Sequence, residues 1–202
     1  MKPFPTQLAT TPVVLGPNDT EGSTAAALQT LAEKGFYVQL GITAADVAAL
    51  QELSRQASIL KYCPRDCTER FKDEPTVRHW LLKERLVFLL KEKSTERLAG
   101  IAWTGPGTSP HIPEGKLTGG LRLSETFQGL GLATPFLKVV LEHTKNEYSR
   151  ERLWFECWAS NAGAVHVYQK LGFTQVASEL STRPTSTGST TPDTRLYMTL
   201  AL

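Results

Sequence analysis

The sequence lacks several things that would fix its class at once. It has three cysteines in 202 residues. That odd, small number predicts no disulfide framework and a reducing cytoplasm as the simplest compartment. It has no long apolar run: the longest, Leu86 to Leu90, is far too short to cross a bilayer. The opening Met1-Lys2-Pro3-Phe4-Pro5 lacks the apolar core of a signal peptide, so no membrane partner is expected. Charge of one sign is missing too. With 22 basic and 20 acidic residues the net charge is +2, which argues against nucleic acid as a partner. No internal repeat is visible. Cys63 and Cys67 have the spacing of a metal pair, but no second Cys/His pair follows and His79 and His111 stand alone, so no metal site is expected. What is left, 41% hydrophobic and 21% charged, is an ordinary soluble composition, enough for one large domain or a domain with a tail.

Residues 1–22 carry four of the twelve prolines and little periodicity, and read as an irregular arm before a single domain over 23–202. Ser23 can cap a helix reaching about Lys34 and closed by Gly35. A short strand follows at Phe36 to Leu40. Thr43 and Asp46 stand in near capping-box relation ahead of Val47, Leu50 and Leu53, a helix reaching about Ser58. Tyr62 to Asp73 is a polar connection, and Thr76 to Glu84 looks helical. Arg85 to Leu90 and Leu98 to Thr104 form a hairpin across Glu92 to Arg97. Gly105 to Gly115 must be a loop. Then come a strand (Leu117 to Leu123), a helix from about Leu130 to Glu147, a strand (Arg152 to Trp158), a helix bearing Tyr168, a strand (Phe173 to Leu180), a Ser/Thr/Pro loop (Ser181 to Thr194) and a last strand (Arg195 to Leu200). Antiparallel strands first, then alternating strands and helices, give an α/β (α+β) mixed sheet with helices on both faces.

The most informative stretch is Gln128-Gly129-Leu130-Gly131-Leu132-Ala133, between a strand and a helix. Gly129 and Gly131 let the backbone approach a ligand closely, and the amides from Leu130 to Thr134 can form a phosphate cradle at the helix N-terminus. No Lys or Arg lies inside this loop, so backbone donors must carry most of such binding. Asn161 and Tyr168 are seven residues apart, about two helical turns, and face the same side. Cys157 reads as a buried strand thiol rather than a nucleophile.

These segments resemble the GNAT superfamily of acyl-CoA-dependent N-acetyltransferases. Gln128, Gly131 and Ala133 match the family's cofactor loop in order. Asn161, Ala164, Tyr168, Lys170, Gly172 and Phe173 match the pattern of its last helix. The resemblance is specific over 117–173. It implies a GNAT-like fold, with a central, mostly antiparallel sheet and a splayed strand pair parting after Leu123 and near Cys157. It implies acetyl-CoA as acyl donor and no metal. Leu121, Arg122 and Leu123 would pair with the pantetheine arm through their backbone, one N–H there serving as oxyanion donor. Gln128, Gly129, Leu130, Gly131, Leu132, Ala133 and Thr134 would hold the diphosphate. Asn161 would hydrogen-bond the pantetheine, and Tyr168 would protonate the departing thiolate. For the base, Glu156 and Glu125 are the nearest candidates in sequence.

The implied function is transfer of an acetyl group to a primary amine of a small molecule or peptide by direct attack on the thioester. Two other readings share the motif: a toxin or effector acetylating a macromolecule, and a non-catalytic acyl-CoA-binding module. The acceptor would lie between Leu60 to Asp73 and Ser181 to Arg195, where basic residues hint at a carboxylate or phosphate on it. Residues 1–34 lie outside the family core; extending the sheet, covering an edge and mediating a homodimer are all open to them.

Overall fold

A computed structural model describes residues 8–20, 22–148, 152–184 and 189–202. Its centre is one eight-stranded sheet in the order β1-β2-β3-β4-β5-β6-β8-β7. The strands are β1 Val13–Leu15, β2 Phe36–Leu40, β3 Leu86–Glu92, β4 Leu98–Pro106, β5 Leu117–Leu123, β6 Arg152–Trp158, β7 Thr174–Pro184 and β8 Thr190–Ala201. All neighbours run antiparallel except β5 and β6. The helices are α1 Gly22–Glu33, α2 Val47–Ser54, α3 Ala57–Tyr62, α4 Glu74–Leu81, α5 Ala133–Tyr148 and α6 Ala162–Lys170. No described helix is long and apolar enough to cross a membrane.

The apolar run of β3 shows why the sheet is covered on both sides. Successive strand side chains point to opposite faces. Phe88 and Leu90 join a core with Leu28 and Leu31 of α1 and Phe136, Leu137 and Val140 of α5. Val87 and Leu89 join a second core with Leu50 and Leu53 of α2 and Val77, Trp80 and Leu81 of α4.

Three local expectations change. The irregular arm contains β1, whose Val13, Val14 and Leu15 pair with Leu40, Gln39 and Val38, so part of that segment extends the sheet; residues 1–7 and 21 lie outside the described residues. The helix expected to reach Ser58 is two helices, because Gln56 is extended (ψ 144°) and its side chain bonds elsewhere. The last loop is mostly strand, since β7 runs to Pro184 and β8 starts at Thr190; positions 185–188 of that loop lie outside the described residues.

One buried polar knot ties the start of α2 to the sheet. Asp46 accepts from the Thr43 N–H, the Thr43 hydroxyl and Gln39 Nε2, each at 2.8 Å, and pairs with Lys91 Nζ at 2.5 Å. Burial alone would raise the Asp46 carboxyl, but Lys91, Thr43 and Gln39 outweigh it and hold the group below its ordinary value of 3.8. A depressed carboxyl adds stability that is present above its unfolded value and lost as pH falls through its folded one. Asp46→Asn is therefore expected to lower unfolding free energy by about 3 kcal/mol near neutral pH, because it strands Lys91. The gap between wild type and variant in urea melts should close progressively below about pH 4.

Candidate active site

The site begins where the sheet fails. The parallel pair β5 and β6 is in register only at Leu117 with Leu153 and Thr118 with Trp154. Beyond them the strands part, five residues earlier on β5 than the splay after Leu123 that the family resemblance implies. Gly119 stands at the fork: a Cβ there would lie 2.5 Å from both the Trp103 carbonyl oxygen and Phe155 Cε1. Only glycine lets β5 pass that close to its neighbours.

A cavity of about 660 Å³ runs through this opening. Of the residues expected at the site, Leu121, Arg122, Leu123, Gln128, Gly129, Ala133, Glu156, Asn161 and Tyr168 line it. Leu130, Gly131, Leu132 and Thr134 sit beside it on the loop and the first turn of α5, which starts at Ala133 rather than Leu130. Gly129 and Gly131 both have positive φ, 76° and 71°, a conformation that side chains resist. Among the described residues, the N–H groups of Gly129 to Leu132 donate to no backbone carbonyl. Donors left open at a helix N-terminus favour an anion.

The loop is held by side chains that the sequence pattern assigned elsewhere. Gln128 Nε2 donates to the Leu123 carbonyl at 2.9 Å and to Ser58 Oγ at 3.1 Å, so its amide braces the loop between β5 and α3. Gln56 bridges Ser124 Oγ (3.0 Å) and the Glu125 N–H (2.8 Å). Glu125, one of the two candidate bases, accepts from the Ser58 N–H at 2.6 Å. It caps the start of α3 and is not on the cavity wall. One cation that sequence reasoning missed is brought in by the fold: Lys34, just past α1, donates Nζ to the Leu130 carbonyl at 3.2 Å. Nothing in the sequence links positions 34 and 130.

Across the opening, α6 presents Asn161 and Tyr168. Asn161 is the helix N-cap, its Oδ1 accepting from the Ala164 N–H at 3.3 Å, which leaves its NH2 for a ligand. Tyr168 is 4% exposed and packs edge-on against Phe155 with centroids 5.1 Å apart. Burial raises its phenol above the ordinary range, more than neighbouring Arg122 lowers it, so it stays protonated. Glu156, on β6, pairs with Arg195 Nη1 at 3.0 Å. Burial pushes the Cys157 thiol up to about 11 and raises Cys63 as well, and all three cysteines are free thiols.

The comparisons with known proteins agree with this geometry. The family model for an acetyltransferase (GNAT) domain matches residues 40–174, and the chain belongs to the GNAT acetyltransferase family. None of the curated proteins matches it. Among solved structures it is similar to yncA from Salmonella typhimurium with its cofactor acetyl-CoA, at 19% identity and a TM-score of 0.67 over 83% of this chain and 94% of that one. It is also similar to spermidine N-acetyltransferase from Vibrio cholerae in complex with CoA and spermine, at 15% identity and a TM-score of 0.64 over 82% and 96%. A GCN5-related N-acetyltransferase from Kribbella flavida aligns at 15% identity with a TM-score of 0.64 over 84% and 99%.

The raised Cys157 thiol has a direct readout. In the folded protein at pH 8, alkylation of Cys157 should run about a hundredfold slower than that of an unperturbed thiol. It should quicken about tenfold per pH unit, followed by peptide mass spectrometry. Rapid labelling at pH 8 would mean an activated thiol.

Proposed function

We propose that the protein transfers an acetyl group from acetyl-CoA to a primary amine of a small molecule or peptide by direct attack. The observation that carries the reading is the fork between β5 and β6, with an anion-ready loop and a buried tyrosine on one cavity. Acetyl-CoA supplies the activated acyl group. The amides of Gly129 to Thr134 cradle its diphosphate, and Lys34 adds the charge that the loop itself lacks. Backbone groups of Leu121, Arg122 and Leu123, which have lost their β6 partners, bind the pantetheine arm like an added strand, and an N–H there faces the developing oxyanion. The Asn161 NH2 meets the same arm.

Tyr168 gives its proton to the leaving thiolate. The burial that raises the phenol also raises any thiolate set beside it, so donor and acceptor shift together. Glu156 takes the proton of the incoming amine, and its pairing with Arg195 fixes it at the cavity wall. We place the protein in a reducing cytoplasm, as its odd, small number of cysteines suggests.

Calorimetric titration of acetyl-CoA tests the cofactor half. Wild type should bind at micromolar level, and Gly131→Asp, which sets an anion in the cradle, should lose binding while its melting curve shows a folded protein. Lys34→Ala should weaken binding about threefold to tenfold, the size of a partly screened charge contact. Wild-type protein that does not bind acetyl-CoA would sink the reading. For the chemical half, Tyr168→Phe should cut kcat about a hundredfold with acetyl-CoA affinity unchanged.

A further inference from the structure

One part of the cavity lining is rich in hydrogen-bond donors. Arg70, Arg85, Trp103 and Arg122 all line it. Asp66, which is 2% exposed, pairs with two of the arginines: Oδ1 with Arg70 Nη1 at 2.6 Å and Oδ2 with Arg122 Nε at 2.7 Å. Both oxygens of the carboxylate are thereby engaged. Arg85 has no carboxylate partner among the described residues. Its guanidinium lies 4.6 Å from the Trp103 ring centre, with Arg70 over the same ring at 5.6 Å. Nη1 donates to the Pro106 carbonyl at 2.8 Å, while Nε is buried with no partner. Trp103 Nε1 and Arg122 Nη1 converge nearby, within 3.2 Å of where a Cβ on Gly120 would stand.

Three guanidiniums against one carboxylate leave this wall positively charged in a desolvated place. Burial and the like charge of Arg70 both lower Arg85 from its ordinary value, which marks a cation short of a counter-ion. An anion in the cavity supplies the missing counter-charge through the outer guanidinium nitrogens, while the enclosed Nε stays out of its reach. The planar fork of arginine fits a carboxylate in two-point contact. On the same cavity lining, Glu156 offers the negative group that an ammonium would seek, and the indoles of Trp154 and Trp158 line it too. A polyamine such as the spermine seen with the Vibrio cholerae neighbour has the wrong sign for this wall.

We infer that the acceptor is a small primary amine that also carries a carboxylate, seated on Arg85 with Arg70 beside it, its apolar part against Trp154 and Trp158. The inference rests on the acetyltransferase reading given above. It is tested in a thiol-release assay with acetyl-CoA and matched pairs of amines differing only in the carboxylate: phenylalanine and phenethylamine, tryptophan and tryptamine, leucine and isoamylamine, with spermidine beside them. The carboxylated member should be favoured by at least about tenfold in kcat/KM in one pair or more, as expected when a site built for a polar group meets an analogue lacking it. Arg85→Gln should erase that preference by raising KM for the amine, leaving kcat within about twofold and acetyl-CoA affinity unchanged. Arg85→Lys should retain part of it, because the charge survives without the fork. A preference below about tenfold in every pair, or better turnover of spermidine than of every carboxylated amine, overturns the inference. So does a preference that survives in folded Arg85→Gln, or no turnover of any carboxylated amine by protein that binds acetyl-CoA. Failure of wild type to bind acetyl-CoA is a different result, which removes the acetyltransferase reading itself.

Discussion

Everything at the candidate site depends on two parallel strands that pair for two residues and then stop. A sheet interior is an expensive place to leave backbone groups without partners. The parting of β5 from β6 after Thr118 and Trp154 therefore cannot be idle slack. The antiparallel ladders on either side hold the gap open: β4 fixes β5 along its whole length, and β8 fixes β6 along its whole length. Neither strand can lean across to close the ladder without breaking one of these. The fork is thus a rigid donor-and-acceptor edge enclosed by protein, the kind of edge that an extended ligand can complete.

Side chains then divide the cavity by charge. On the loop, backbone amides without backbone partners lie near one distant lysine. Elsewhere on the lining, arginines crowd an indole. Tyr168 and Glu156 line the same cavity, one kept protonated by burial and the other held by Arg195. The ion pairs of this wall involve residues with little exposure, Asp66 at 2% above all. Their worth lies in fixing geometry more than in adding net stability, since removing charges from water costs about as much as pairing them returns.

How much of this was legible depends on how local each signal is. The glycine loop and the Asn161–Tyr168 helix carry their chemistry within a few residues, and the family relationship was readable from them. The mostly antiparallel sheet followed from the order of strand-like and helix-like runs. What the sequence could not show was assembled from afar. Lys34 meets the loop from 96 positions away, and Gln56 and Glu125 find each other across 69. Glu125 looked available as a base because its capping bond to Ser58 is invisible in the primary structure. The splay point, set after Leu123 by the family resemblance, falls earlier because the loss of a partner is a property of two strands together and has no local signal. The broken helix at Gln56 shows a side chain's long-range bonds overriding local helical periodicity.

The tryptophans of the chain are unevenly placed. Of four tryptophans, three line the same cavity, and the fourth, Trp80, stacks edge-on against one of them at 5.7 Å. Two of the three lie under guanidinium groups, Arg85 over Trp103 and Arg195 over Trp158. Three of the protein's four indole fluorophores therefore sit on the walls of this cavity. Whatever enters there changes the polarity around those indoles, so the molecule carries an intrinsic optical gauge of occupancy that needs no attached dye.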